Sequence, residues 1–457
     1  VSFLDPWFYA FLPLVLVAYA LVPPSARLKL LLIASIFAYA TIGRGYLIAV
    51  LLGSTWICWQ VGKLIDRSTD RHKLAWLSIG VAANLSLMLG LKHWPGELVF
   101  IGVSYFIFQA ISYLADVYLR QQKPEPRFGT LLAYQSFFPR LTQGPIERAG
   151  NLIPQLQDLK PLDREAIREG CLRFAWGLFK KVVIADRCAL YVSAVFDNLP
   201  AQSGVTVLFG VYAFAIQLYF DFSGYTDMAL GSARLFGVRL TQNFNAPYLA
   251  TSTADFWRRW HISFSTWIKD YLFEPLQHSL RRWGYLANPL TFMLVFPLIG
   301  LWHGTTFGFL VWGWLQALYM SVGLAIKPWQ KQFYRLSGLE NSLLQRMWRV
   351  AITFHLTCFS LMFYRLDTPE KAKLALSKLW GAWPSVGDWA LPGPGTLDLL
   401  ILVAGVALAM LVHGLKERYK LLAMPVWVRW PSYYILALAI LLGGKFFEAR
   451  SFIYAQF

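Results

Sequence analysis

The sequence predicts an all-α polytopic membrane protein, a bundle of about eleven to thirteen membrane helices with re-entrant and interfacial amphipathic segments. Three observations predict it. Hydrophobic residues make up 57% of the 457 and charged residues only 15%, whereas soluble domains are about a quarter charged. Apolar stretches able to cross ~30 Å of hydrocarbon recur along the chain. Lysines and arginines gather in alternate connections between those stretches, as they do where cations hold loops on the cytoplasmic side.

Taken in order, the first stretch is 7–22, "WFYAFLPLVLVAYALV". No basic n-region or small-residue cleavage site accompanies it, so it reads as a membrane span and not as a removable signal peptide. The basic "PPSARLK" (23–29) leads into 28–42. Spans at 46–61 and 74–91 flank "GKLIDRSTDRHK" (62–73), and 98–119 completes the first group. The stretch "SFFPRLTQGPIERAGNLIPQL" (136–156) is too broken for a span and too apolar for a free loop, which fits a re-entrant or interface-lying hairpin. Further apolar stretches follow at 172–197, 205–221, 287–302, 307–326, 351–366, 398–413 and 432–446. Basic residues concentrate in 23–29, 62–73, 120–170, 224–284, 327–350 and 414–420; "GRG" at 43–45, 198–204 and 380–397 carry few. An outside N-terminus satisfies this alternation and makes 62–73, 120–170 and 224–284 cytoplasmic. No internal repeat or Gly/Ser linker divides the chain. It reads as one membrane-embedded domain over 1–457, with a motif-bearing core at about 98–370.

The formal net charge of +17 would suggest nucleic acid in a soluble protein. In this composition it reads as cationic loops meeting an anionic lipid surface, and no basic run or finger motif argues for nucleic acid. Four scattered cysteines, Cys58, Cys171, Cys188 and Cys358, form no CxxC pair. That supports buried free thiols, with neither a disulfide framework nor a metal site.

Three polar clusters interrupt the apolar pattern. In "TADFWRRWHISFSTWIKDYLF" (253–273), a single helix would place Phe256, Trp257, Trp260, Phe264, Trp267, Ile268 and Tyr271 on one stripe, with Arg258, Thr266 and Lys269 opposite. Such a segment lies in the bilayer interface. His261 falls on the shoulder of the stripe, looking inward, either as a hydrogen-bonded interfacial residue or as part of a site. The arginines are suited to phosphate. In "LIGLWHGTTFGF" (298–309), Gly300, Gly304 and Gly308 recur every four residues as a small-residue ridge, and His303 stands beside it. An ionisable group inside a membrane is costly and faces a cavity or a partner, in a functional or a structural role. His355 and His413 lack comparable polar neighbours, and His72, His93 and His278 fall in loops. In "LYFDFSGYTDMALG" (218–231), Asp221 either caps a following helix or orients a catalytic group. "NFNAPY" (243–248) reads as a polar turn that contains Asn245.

Taken together and in this order, "QGPIER" (143–148), "DFSGYTDMA" (221–229), "NFNAPY" (243–248), "DFWRRWHISFSTWIKDYLFEPL" (255–276) and "GLWHG" (300–304) resemble the membrane-bound O-acyltransferase (MBOAT) family. The resemblance covers about residues 1 to 370. Within the family it is to the bacterial membrane components that acetylate alginate and other polysaccharides, with the D-alanyl transfer protein of teichoic acid modification as a more distant cousin. Where alginate relatives continue with a Gly/Asn-rich basic loop, this chain has "QHSLRRWGYLANPL" (277–290).

The resemblance implies a bundle around a central tunnel in a bacterial inner membrane. It implies a catalytic histidine at His303 and a second, more variable polar position at His261, with Asp221 and Asn245 in supporting places. No cofactor is bound on this reading. The donor is a thioester, most simply acetyl-CoA, whose phosphates would meet Arg258, Arg259, Arg281 and Arg282, or else Lys180 and Lys181. The acyl group would pass to an extracytoplasmic polysaccharide or to a secreted acetyltransferase partner. Neutral imidazole suits the proton abstraction that acylating a hydroxyl requires. A lipid or protein O-acyltransferase is the nearer alternative and a transporter the more distant one. A transporter would favour paired broken helices in the two halves, which are not found. Neither GxSxG nor HExxH occurs, which argues against a hydrolase or protease, and no cysteine has a base motif.

Overall fold

A computed structural model describes all residues except 1–2, 43–44, 93–101, 141–142, 382–392, 394, 419–423, 447–451 and 454–457. The start of the 98–119 stretch, His93 and most of 380–397 therefore lie outside the described residues, as does part of 414–420. Among the described residues every regular element is a helix. Two compact units are distinguished: residues 1–178 with 224–242, and residues 179–223 with 243–457.

The first unit holds α1 (Pro6–Leu21), α2 (Pro24–Ile42), α3 (Gly45–Arg67), α4 (Asp70–Lys92), α5 (Val103–Tyr118), α6 (Phe128–Ser136), α7 (Ala149–Gln157) and α8 (Arg164–Phe179). Helices α3, α4 and α5 pack together, and α6 lies against α2 and α3. His72, expected in a loop, lies in the first turn of α4, which begins at Asp70 and whose His72 N–H donates to the Thr69 carbonyl (2.9 Å). The stretch 136–156 is broken as its prolines require: α6 ends, a single 3-10 turn spans Phe138–Arg140, and α7 starts at Ala149. Arg140 is buried there and donates to Gln109 Oε1 and to the Tyr134 and Gln135 carbonyls. A Cβ on Gly144 would stand 2.2 Å from that of Arg140, so only glycine lets this turn close.

The second unit holds α9 (Asp186–Phe196), α10 (Gly204–Leu235, its residues from Gly224 on counted with the first unit), α11 (Thr253–Arg259), α12 (Ile262–Ile268), α13 (Glu274–Ser279), α14 (Ala287–His303), α15 (Phe307–Leu336), α16 (Leu343–Met362), α17 (Pro369–Gly381), α18 (Thr396–Arg418) and α19 (Val426–Gly443). Six helical stretches in the described residues are long and apolar enough to cross a membrane: Gly45–Arg67, Asp70–Leu91, Gly204–Leu235, Arg281–His303, Phe307–Leu336 and Val426–Gly443. Pro6–Leu21 and Thr396–Val412 are shorter apolar helices. The stretch 172–197 is helical but not one regular helix, because a π turn at Lys180–Ala185 separates α8 from α9.

Three expectations about the polar clusters are corrected. Residues 253–273 do not form one helix. The chain breaks at His261, which adopts φ 43°, ψ 54° between α11 and α12, and a π turn follows at Lys269–Phe273. The ridge of Gly300, Gly304 and Gly308 does not lie on one helix either: α14 stops at His303 with Gly304 as its extended cap, and Gly308 opens α15. Close approach survives in another form. A Cβ on Gly300 would meet the Phe309 carbonyl oxygen at 2.4 Å, and one on Gly313 would meet that of Phe296 at 2.6 Å, so α14 and α15 touch backbone to backbone. Finally, Asp221 caps nothing. It sits inside α10, which continues for four turns beyond it. Cys171 is exposed, unlike the other three cysteines, because α8 presents it outward.

Candidate active site

His261 owes its place to the polar turn before it. Asn243, fully buried, accepts Ile262 N–H at its carbonyl (2.9 Å) and Ser263 N–H and Oγ–H at Oδ1 (3.2 and 2.6 Å). These are first-turn N–H groups of α12 that would otherwise lack intrahelical acceptors. A residue nineteen positions upstream thus does the work of a cap. Asn245 N–H donates to the Arg259 carbonyl (3.0 Å), holding the end of α11 against the same turn. Upstream, Ser252 Oγ accepts Asp255 N–H (3.1 Å) and Asp255 accepts Thr251 N–H (3.1 Å), a reciprocal cap that starts α11. The left-handed backbone of His261 is uncommon for a residue other than glycine and marks a site held by its surroundings.

His303 is placed by the close pair α14 and α15. It is the last residue of α14, 6% exposed, and its ring meets Trp302 (4.6 Å between centroids), Phe309 (6.1 Å), Trp312 edge-on (5.4 Å) and Tyr364 (5.5 Å). Tyr364 arrives on a 3-10 turn, Phe363–Arg365, pressed against Gly308; a Cβ on Gly308 would stand 2.0 Å from the Phe363 carbonyl oxygen. His261, 2% exposed, stacks on Phe264 (5.0 Å) and receives Phe222 edge-on (4.7 Å), while Phe264 stacks on Trp302 (4.7 Å). An unbroken series of rings therefore links the two imidazoles.

Both histidines line one cavity, with Trp257, Trp260, Trp312, Gln316 and Tyr364 among its walls. His261 lies outside the six apolar spans. Burial, and then the proximity of a positive charge on His303, hold its pKa well below the ordinary histidine value. A buried pair of neighbouring imidazoles cannot readily both be charged. The uncharged state, the one that can accept a proton, is favoured.

The remaining sequence candidates divide. Asp221 is not among the cavity walls; its carboxylate accepts from Lys181 Nζ (2.7 Å) and from Ile453 N–H (2.8 Å). Lys181 also pairs with Asp186 (2.9 Å) in a buried cluster, so it does not present itself to a phosphate. Arg258 and Arg259 both pair with Asp255 (3.3 and 3.1 Å), Arg258 with its side chain 74% exposed. Burial pushes the Asp255 carboxyl up, but the Thr251 N–H and these two guanidinium groups hold it below the usual carboxylate range. Arg281 and Arg282 are exposed on a 3-10 segment, Arg281–Leu286, with Arg281 Nη1 3.2 Å from His278 Nε2 on α13. His278, expected in a loop, is thus helical.

Sequence reading missed Asn243, Trp312, Gln316 and Tyr364. A signal existed for Gln316, a lone amide in the apolar run "FGFLVWGWLQALYM", where a polar group normally has a partner or a task. Tyr364 had none, since it reaches His303 only through the glycine contact of its turn.

Comparison with known proteins bears on this arrangement. A profile of the family described as MBOAT, membrane-bound O-acyltransferase family, matches residues 35–364. The chain is 34% identical over 427 residues to a Pseudomonas fluorescens protein named "Probable alginate O-acetylase AlgI", covering 90% of this chain and 82% of that one. It is 32% identical over 423 residues to the peptidoglycan O-acetyltransferase of Helicobacter pylori, covering 82% of this chain and 78% of that one. Identity is 26% over 363 residues to the teichoic acid D-alanyltransferase of Bacillus subtilis, covering 74% and 89%. These relatives all transfer acyl groups by name, and the matched span takes in both histidines and every wall of their cavity. The chain therefore belongs to the membrane-bound O-acyltransferase family and is an O-acyltransferase.

Proposed function

We propose that this protein moves an acetyl group from a cytoplasmic thioester, acetyl-CoA, to an extracytoplasmic polysaccharide or to a secreted acetyltransferase partner. It does so as a single catalytic domain in a bacterial inner membrane. The observation that carries the reading is the enclosure of His261 and His303 in one aromatic cavity. Relatives named for alginate and peptidoglycan O-acetylation support the acetyl group and the polysaccharide class.

In this mechanism His303 is the general base. As an acceptor hydroxyl attacks the thioester carbonyl, its proton passes to the neutral imidazole of His303, and the carbonyl becomes a tetrahedral oxyanion. Collapse breaks the carbon–sulfur bond, and the imidazolium returns the proton to the departing thiolate. General-base assistance of this kind contributes about 10²- to 10⁴-fold. The imidazolium forms at the C-terminus of α14, where the partial negative charge of the helix end faces it. His261, kept neutral by its burial, orients the acceptor or His303 through a ring N–H. Asp221 and Asn245 act at a distance, by holding α10 and the end of α11. Arg281 and Arg282, with Arg258 and Arg259, meet the donor phosphates.

The test is His303→Ala, purified in detergent and assayed for acetyl-CoA turnover with alginate as acceptor. Transfer should fall by about 10²- to 10⁴-fold with little change in melting temperature. A folded variant that transfers acetyl groups at the wild-type rate would sink the mechanism and place the general base on another residue.

A further inference from the structure

We infer that Gln316 is a positioning residue for acyl transfer: its side-chain amide locks the helix that leads to His261 against the helix that packs on His303. The inference rests on the reading of the two histidines as the reacting site. Gln316 lies on α15, is 2% exposed, and forms part of the cavity wall. Its Oε1 accepts Trp257 Nε1–H (3.1 Å), and its Nε2 donates to Ser360 Oγ (2.8 Å), whose hydroxyl donates to the Thr357 carbonyl (2.8 Å). The direction of every link is forced. An indole N–H can only donate, so Oε1 must face Trp257; the amide nitrogen must then donate to Ser360. One buried amide thus ties α11, α15 and α16 together.

What these helices carry makes the tie matter. Trp257 sits one turn before His261, and the break at Trp260–His261 follows directly from where α11 ends. Trp312 sits one turn before Gln316 on the same face of α15 and is edge-on to His303 (5.4 Å) and to Trp257 (6.0 Å). The neighbouring contacts of Trp257 with Trp312 and Phe296 are ring contacts, which tolerate sliding because dispersion has little directionality. A hydrogen bond does not. Removing the amide leaves the rings packed but the separation of the two imidazoles unfixed, and misplacement by ~1 Å costs about a hundredfold in a reaction that depends on alignment.

The experiment compares wild type with Gln316→Met, which keeps the volume but not the amide, and Trp257→Phe, which keeps a ring but not the N–H. Turnover of acetyl-CoA with alginate as acceptor is followed in detergent. Each single variant should lose about 10- to 100-fold in kcat, with the KM for acetyl-CoA changed less than about threefold. The double variant should be no slower than the slower single, since both variants break the same Trp257–Gln316 link. Gln316→Met with wild-type kcat, or losses that multiply in the double variant, would overturn the inference. Should Gln316→Met fail to fold by melting, Trp257→Phe alone decides, and a wild-type kcat there overturns it equally. His303→Ala, run in parallel, separates the two readings. If it stays active the cavity is not the reacting site; if it is inactive while Gln316→Met is fully active, only the role of Gln316 falls.

Discussion

His261 combines two features that a free side chain would avoid, a left-handed backbone and complete burial of an ionisable ring. Both are imposed from outside, by Asn243 on one side and by Phe222 and Phe264 on the other. Burial and the neighbouring His303 favour the neutral imidazole in the folded state, whereas the unfolded chain titrates near the ordinary histidine value of about 6.5. Below that pH the unfolded state binds the extra proton, so the contribution of His261 is fully present above about 6.5 and declines as pH falls, by up to about 1.4 kcal/mol per pH unit. The melting temperature of the wild type should therefore drop between about pH 7.5 and pH 5.5. His261→Gln, which cannot titrate, should show a flatter profile over the same interval; an identical slope in both proteins would remove His261 as the cause. Asp221 makes the complementary point. Its pattern in sequence resembles a cap, yet its carboxylate is engaged by Lys181 and by a backbone N–H from Ile453.

Among elements, the broken segment α11–α12–α13 decides where charge and aromatic faces go. A continuous helix would have laid all its cations on one side. Within α11, Arg258 and Arg259 pair with Asp255 one turn earlier, whereas Arg281 and Arg282 stay exposed on the 3-10 segment leading into α14. A guanidinium already paired with a carboxylate offers less of its charge to a phosphate. The double variant Arg281→Gln/Arg282→Gln should therefore raise the KM for acetyl-CoA more than Arg258→Gln/Arg259→Gln, by about 10-fold against a few-fold, with kcat little changed in either. Donor kinetics unchanged in both would move the phosphate contact elsewhere. Lys181 is a poor alternative, since it is buried between two aspartates.

At the level of the whole chain, that same lysine joins parts far apart in sequence within the second unit. Lys181 on the π turn binds Asp186 and Asp221 and lies under the Phe452 ring (4.6 Å), while Ile453 N–H completes Asp221. Nearby, Arg187 donates to the Gly443 carbonyl and pairs with Asp398 (3.1 Å), and Lys445 N–H donates to the Val182 carbonyl (3.0 Å). The π turn thus gathers α9, α10, α18 and the end of α19. Removing one partner of a buried ion cluster leaves the others uncompensated, at a cost of about 3–5 kcal/mol. Lys181→Met should lower the melting temperature markedly, and adding Asp186→Asn and Asp221→Asn should recover much of the loss. A triple variant no more stable than Lys181→Met would show that charge compensation is not what the lysine provides.

Composition and periodicity alone determined that the chain is helical and membrane-embedded, because a bilayer demands long apolar runs with internally satisfied backbones, and such runs are visible residue by residue. They also singled out His261 and His303, since an ionisable group among tryptophans is conspicuous in one dimension. The family motifs "DFWRRWHISF" and "GLWHG" added an expected chemistry to those positions by resemblance. What only the tertiary structure decided is which groups meet. The stop at His261 depends on hydrogen bonds that Asn243 accepts, the access of Tyr364 on the absence of a side chain at Gly308, and the use of Gln316 on an indole N–H brought by another helix. Each is a directional or steric contact between residues distant in sequence, and helical periodicity records which face a residue occupies but not which partner that face will find.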